Sequence, residues 1–495
     1  MSLTFLALFA GAFSLLCFYL YQKHNYWKRN GIPTIKGCVP LLGHMLPIIT
    51  KRMNFAEFIR LAYEEYEDHS MVGIYKGTRP VLIVRDPNLV KIVLQSNFSN
   101  FHKNGRKVVS EADPLLSKHP LFSYGDTWSV GRKRLIYAFS NVRLKILFAV
   151  ISEVCKKFDH FLNRRLKTST KYEVDLKSLF SRYTCEVVAN TLGIEGFCFE
   201  DNAEVKPLHE LNGNTFEESL ETIITFHYPS INRLLKFSFL PESMERFFRK
   251  VVYENLKIRR NDSTPRNDFL QWMIDLETTG GVIDEENVSA HAASLYLDGT
   301  ETTSITLNFI GHDLAANSEI QKKLRKEVKS TIEKHGGLTF EALNDMTYMN
   351  QVINESQRLH SAVGFLQKMC TEEFELQGSD GLTYRIKPGI EVDISIFGLH
   401  TDPKYWVNPH VFDPERFNNV RKQTIEKMTF IPFSVGPRIC AGMRMTMLQT
   451  KTCLAILLSN YKLELSPRTE VPLKISPHYF LSEPIGGNWV YISKL

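Results

Sequence analysis

The sequence predicts a mainly α fold with small β-sheets (α+β), one large domain behind an N-terminal membrane-spanning segment. Three observations predict it. From about Asp126 to His360 the pattern is helical almost throughout, with few prolines inside the periodic runs. Strand-like pieces flank this middle: "MVGIYKG" and "PVLIVRD" before it, "FELQ", "TYRIKPGIEVDISIF" and "NWVYISKL" after it. Small sheets must therefore pair distant parts of one globule. Across the 495 residues no repeat, low-complexity tract or linker marks a second domain.

The elements follow in order. Ser2 to Gln22, "SLTFLALFAGAFSLLCFYLYQ", carries no charge, and about 20 apolar residues span a bilayer core as a helix. A cleaved signal peptide is the competing reading, with "AGA" (Ala10 to Ala12) as its cleavage site. Such peptides carry positive charge before the apolar run; here Lys23, Lys28 and Arg29 come after it. The expectation is an uncleaved anchor over 1–22, with the body on the cytosolic side. A basic, Pro/Gly-rich hinge over 23–47 follows, and the globular domain runs from 48 to 495. "FAEFIRLAYEEYEDH" opens that domain as an amphipathic helix, then come the strand pair and the helical middle.

Composition excludes some functions. With 60 basic and 54 acidic side chains the net charge is +6, suited to an acidic partner or anionic lipid. No Lys/Arg tract dominates, so nucleic acid is not an expected partner. The cysteines Cys17, Cys38, Cys155, Cys185, Cys198, Cys370, Cys440 and Cys453 are scattered without CxxC spacing. That argues against a disulfide framework and a structural zinc site.

One cysteine stands apart. In "FSVGPRICAG" (Phe433 to Gly442), Cys440 sits where a loop gives way to a helix expected from about Ala441. Backbone N–H groups and the positive helix end would favour thiolate there. Gly436 permits a turn, and Gly442 lets a flat ligand approach the backbone. Arg438 can take a carboxylate bidentately. Thiolate, glycine and arginine together match what a haem requires. In "LYLDGTETTSITLNF", Thr302 at mid-helix can bond its hydroxyl to the carbonyl of residue 298 and bend the helix, while Gly299 removes bulk.

"FSVGPRICAG" resembles the haem-thiolate signature of the cytochrome P-450 monooxygenases, Phe-x-x-Gly-x-Arg-x-Cys-x-Gly. The resemblance runs from about Pro33 to the C-terminus and implies that fold. It makes Cys440 the proximal iron ligand and places Phe433 beside the sulfur. "ESQR" and "FDPERF" resemble the family's buried network of Glu355, Arg358 and Arg416. "WSVGR" puts Trp128 and Arg132 one turn apart, where the family meets a haem propionate. "DGTETT" is similar to the oxygen-binding stretch, with Glu301 and Thr302 assisting protonation. Two departures stand out. Asp298 occupies a position commonly Ala or Gly, and Lys368 stands where an arginine often meets the second propionate.

The resemblance implies insertion of one oxygen atom from O2 into a lipophilic xenobiotic, steroid, hormone or fatty-acid-like molecule. Haem b is the cofactor, and electrons come from NADPH through NADPH–cytochrome P-450 reductase, with cytochrome b5 a further partner. The implied location is the endoplasmic reticulum membrane, single-pass, in a branch like the insect detoxification and hormone-metabolising enzymes. Substrate contacts would come from about Phe101 to Tyr124, Thr215 to Phe239, Ala293 to Thr302, the segment after His360 and the turn near Tyr479. "LLKFSFLP" (Leu234 to Pro241) reads either as a membrane-dipping segment or as a core helix end. Two alternatives remain: a haem-thiolate isomerase or dehydratase acting on a peroxide without reductase, and a non-catalytic haem-binding membrane protein.

Overall fold

Helix α1 (Leu3–His24) carries no charge before Lys23, is long and apolar enough to cross a membrane, and packs none of its apolar window against the rest of the molecule. The computed structural model describes residues 3–200, 207–213, 215–262, 264, 266–279 and 282–495, so residues 1 and 2 of the expected anchor lie outside the described residues. Beyond α1 the chain docks at once. Trp27 is fully buried, and its indole N–H donates to the Ile74 carbonyl at 2.8 Å. The ring fills the space over Gly73, where a Cβ would lie 2.3 Å from it. Ile32 and Ile35 are buried too, and Thr34 bridges to Gly73. The stretch expected to be a hinge thus lies packed along the first strand, because its apolar residues are spaced to fill that strand's surface.

Helix α2 (Phe55–Glu65) starts at Asn54, whose side chain accepts from the Glu57 N–H at 2.9 Å. Strands β1 (Met71–Lys76) and β2 (Arg79–Val84) form an antiparallel hairpin turning at Gly77, φ +62°. After the short β3 (Lys103–Asn104) come α3 (Gly125–Ala138) and α4 (Asn141–Arg165). Next are β4 (Tyr172–Asp175) and α5 (Leu176–Thr191), then α6 (Leu220–His227) and α7 (Glu242–Asn261). The central helix is α8 (Glu285–Ala316), 32 residues long. It is buried on nearly every side, as a helix at the middle of an α-rich core must be. α9 (Ser318–Lys334), α10 (Thr347–Leu359) and α11 (Met443–Asn460) complete the main helices.

Strands β5 (Phe365–Met369) and β6 (Glu391–Ser395) join the first hairpin in a sheet of order β1-β2-β6-β5-β3, with β6 parallel to β2. β7 (Tyr461–Leu465) and β8 (Trp489–Lys494) pair with β4 in a second sheet, order β7-β8-β4. The expected pairing of distant segments is what forms. "TYRIKPGIEVDISIF" departs from expectation at its end: Ser395 accepts from the Gly398 N–H at 3.0 Å and starts a short helix, Ile396–Thr401.

Candidate active site

The loop before α11 is folded on itself. Ser434 and Gly436 have φ +61° and +76°, a short 3-10 turn spans Gly436–Arg438, and the Cys440 N–H donates to the Phe433 carbonyl at 2.9 Å. Only glycine fits at 436, since a Cβ would sit 2.1 Å from the Leu94 carbonyl oxygen. The helix begins at Met443, two residues later than expected, with Gly442 as its N-cap. A Cβ on Gly442 would meet nothing nearer than the Cys440 sulfur, at 3.9 Å. The space beside the thiol is therefore open on the face where a flat ring would lie.

Cys440 is exposed although protein surrounds it, so its thiol opens into an enclosed space. Burial pushes the thiol up to about 11, helped by Asp298 facing it across that space. The N–H groups of Gly442 and Met443 and the Arg132 cation pull the other way. The helix end thus acts as expected in direction, but without a metal burial outweighs it.

Helix α8 forms the opposite wall. Thr302 donates to the Asp298 carbonyl at 2.6 Å, the bond its position implied. Thr300 and Thr306 repeat this pattern to Tyr296 and Thr302, so one polar stretch interrupts an otherwise sealed helix. Asp298 is 62% exposed although neighbours on α8 are buried, and its carboxylate lies 3.0 Å from His119 Nε2. It turns into the enclosed space rather than away. Glu301 is buried; its Oε1 is 2.6 Å from Lys177 Nζ and accepts from the Tyr479 hydroxyl at 2.6 Å. Gly299 differs from expectation. Its missing side chain is aimed at Val188 of α5, 3.1 Å from a built Cβ, so it serves close helix packing rather than a groove.

Three cations gather round the space without a carboxylate partner among the described residues. Arg438 donates to the carbonyls of His102, Pro120 and Ser123 at 2.6, 2.9 and 3.1 Å and lies 4.3 Å from the Trp128 ring. Lys368 is buried on β5 and donates to Asn104 Oδ1 at 2.7 Å. Burial and the charge of Arg438 pull its ammonium down to about 7. Arg438 itself falls to about 10, through burial and Arg132. Arg132, on α3 with Trp128, is lowered by burial. Such a cluster is costly unless an anion completes it. A group carrying two carboxylates on an apolar ring, with a metal to take the thiolate, has the complementary chemistry, and the residues present fit haem.

The predicted ion network forms next to this loop. Arg358 grips Glu355 through two 2.8 Å bonds, and Arg416 Nε reaches the same carboxylate at 3.1 Å. Arg416 also donates to the carbonyls of Val407 and Asn408, and Arg358 to that of His400. His400 Nε2 accepts from the Ile431 N–H at 2.9 Å, tying the network to the strand of chain that enters the cysteine loop. Burial holds that imidazole neutral, at about 3.

The segments expected to touch substrate meet on the α8 side. Phe226 lies face to face with Phe122, centroids 5.8 Å apart, and against Phe239 and Phe480 at 4.9 and 5.2 Å. "LLKFSFLP" divides: Leu234 is 82% exposed, whereas Phe239 and Leu240 are buried with their N–H groups held by Asp113. Asn104 and His119 fall within the segment expected to touch substrate, but their pairings with Lys368 and Asp298, and that of Lys177 with Glu301, join residues more than a hundred positions apart and carry no local signal.

The family model described as Cytochrome P450 matches residues 33–490. Cytochrome P450 9e2 of Blattella germanica is 30% identical, covering 97% of this chain and 96% of its own. Probable cytochrome P450 28d1 of Drosophila melanogaster is 31% identical over 98% of both chains. Cytochrome P450 6a2 of the same species is 30% identical over 98% of both.

Proposed function

The chain belongs to the cytochrome P450 family and is a haem-thiolate monooxygenase; from that premise we propose that it oxidises a lipophilic small molecule at the α8 face of the haem, using NADPH-derived electrons. Bound haem supplies the activation of O2. Cys440 would hold the iron, with Phe433 and Gly442 beside the sulfur. Arg438, Arg132, Trp128 and Lys368 would hold the two propionates. The observation that carries this reading is the enclosed Cys440 thiol facing Asp298 and ringed by cations that have no carboxylate partner among the described residues.

With haem bound, Thr302 would offer its hydroxyl, which in this structure donates to the Asp298 carbonyl, as a proton donor on the α8 side, and Glu301, steadied by Lys177 and Tyr479, would resupply that proton through water. The aromatic walls exclude bulk water from this path. Electrons enter through a flavoprotein reductase, with cytochrome b5 as a second donor, docking on the basic Cys440 side. Helix α1 anchors the protein in the endoplasmic reticulum membrane with the catalytic body in the cytosol; its length, apolarity and lack of a buried face support this. Reconstitution with reductase and a lipophilic library tests the reading: oxygenated product supports it, and turnover of peroxides alone refutes it.

A further inference from the structure

At the far end of the aromatic cluster from Asp298 stands a cation with unused donors. Arg106 lies in the loop between β3 and α3, enclosed by protein. Its guanidinium carbon is 4.2 Å from the Phe480 ring centre, 4.8 Å from Phe365 and 5.7 Å from Phe226. Nε donates to Gln367 Oε1 at 2.9 Å, and Gln367 donates in turn to Glu391 Oε1 at 2.7 Å. These bonds fix the guanidinium plane. Neither Nη nitrogen makes a hydrogen bond or ion pair among the described residues.

Asp393, Glu391 and Glu218 lie near enough to attract it, but none of them bonds it among the described residues. Glu391 is paired with Lys76 and bound by Gln367, and Asp393 lies 3.0 Å from Lys76. Glu218 is buried with Oε2 unpartnered, and burial pushes its carboxyl up to about 8, so at neutral pH it stands as the uncharged acid. An ionised carboxylate would find here a planar fork in an apolar, low-dielectric wall, where a charge-assisted bond is strongest.

Rings lead from this corner to α8. Phe226 lies on Phe122, Phe122 is 5.7 Å from the His119 ring, and His119 holds Asp298. The Asp298 carboxylate repels a second carboxylate from the iron end. We propose that Arg106 binds the carboxylate of a long-chain carboxylic acid, whose apolar chain runs along Phe226 and Phe122 and is oxidised far from the acid group. This rests on the monooxygenase reading and names its substrate class.

The test titrates purified holoprotein with dodecanoate and with methyl dodecanoate, at a pH where the acid is ionised, following the haem absorption shift on ligand entry. Wild type should bind the acid at least about tenfold more tightly than the ester. Arg106→Gln should erase that preference and leave ester affinity unchanged, and Arg106→Lys should restore part of it, since lysine keeps the charge without the fork. Equal affinity for acid and ester in wild type overturns the proposal, as does equal weakening of both in Arg106→Gln. The ferrous carbonyl spectrum of the same samples separates the two readings. A retained thiolate band without acid preference sinks this inference alone. A missing band sinks the reaction class, and the rise in melting temperature on adding each ligand then still reports whether Arg106 holds the acid.

Discussion

Lys368 is buried with one neutral partner, Asn104, and with Arg438 near enough to repel it. In the cofactor-free protein its ammonium loses its proton at about 7, whereas the unfolded chain keeps it to the ordinary 10.5. Between those values the unfolded state binds more protons, so stability rises with pH across the window and the full penalty applies below about 7. Lys368→Met should therefore raise the apoprotein's stability at neutral pH, by at most on the order of 4 kcal/mol, with the difference fading toward the upper end. Melts across this pH range check it; a difference that does not change with pH contradicts it. The same variant should bind haem more weakly, because one propionate loses its partner. Thr302 lends itself to a kinetic test. Thr302→Ala should cut product formation roughly 100-fold while NADPH oxidation continues and peroxide accumulates; unaltered coupling removes it from proton delivery. Motif spacing singled out Cys440, Arg438, Trp128 and Thr302 as candidates, and the Thr302 bond to the Asp298 carbonyl was legible because its partner lies four residues away; the Arg438 partners His102, Pro120 and Ser123 were not, being more than 300 positions distant. Gly299 was misread because spacing says which residue lacks bulk, not which neighbour occupies the space.

At the scale of elements, the cysteine loop depends on two supports that lie outside it. One is the short π-helical turn Ile92–Ser96, whose Leu94 carbonyl leaves no room for a side chain at Gly436. The other is the Glu355–Arg358–Arg416 network, which reaches the loop through His400 and Ile431. Glu355→Gln leaves two buried guanidinium groups short of their counter-charge and should cost about 3–5 kcal/mol. The expected readout is a sharp fall in haem-loaded yield with secondary structure retained in whatever folds; full haem loading at wild-type stability would show that the network is dispensable. The long helices and the first hairpin were readable because periodicity extends over many residues. β5 was not: in "FLQKM" the polar Gln367 and Lys368 are buried, serving Arg106 and the cation cluster, which breaks the alternation by which a strand is recognised.

Across the whole molecule, α1 is separable and the segment after it is not. Deleting residues 1–22 should release the protein from membranes while keeping its haem spectrum, since α1 buries no part of its apolar window. Trp27→Ala in the same background should destabilise by about 3–5 kcal/mol, because Trp27 is fully buried over Gly73 and bonded to Ile74. Fractionation and thermal melts check the pair; a truncated protein that loses haem would make α1 part of the fold. The aromatic chamber belongs to this scale as well. Its partners, Phe122 with Phe226 and Arg106 with Phe480, are far apart in the chain and obey no local spacing, so the resemblance named their segments but only the fold shows which side chains meet.

The most direct measurement is the absorption spectrum of the reduced, carbon monoxide-bound protein, wild type beside Cys440→His. The wild type should show the red-shifted Soret band that sulfur ligation gives, and the variant should lack it. An identical red-shifted band in both proteins would mean that another residue holds the iron, and the site built around Cys440 would be wrong.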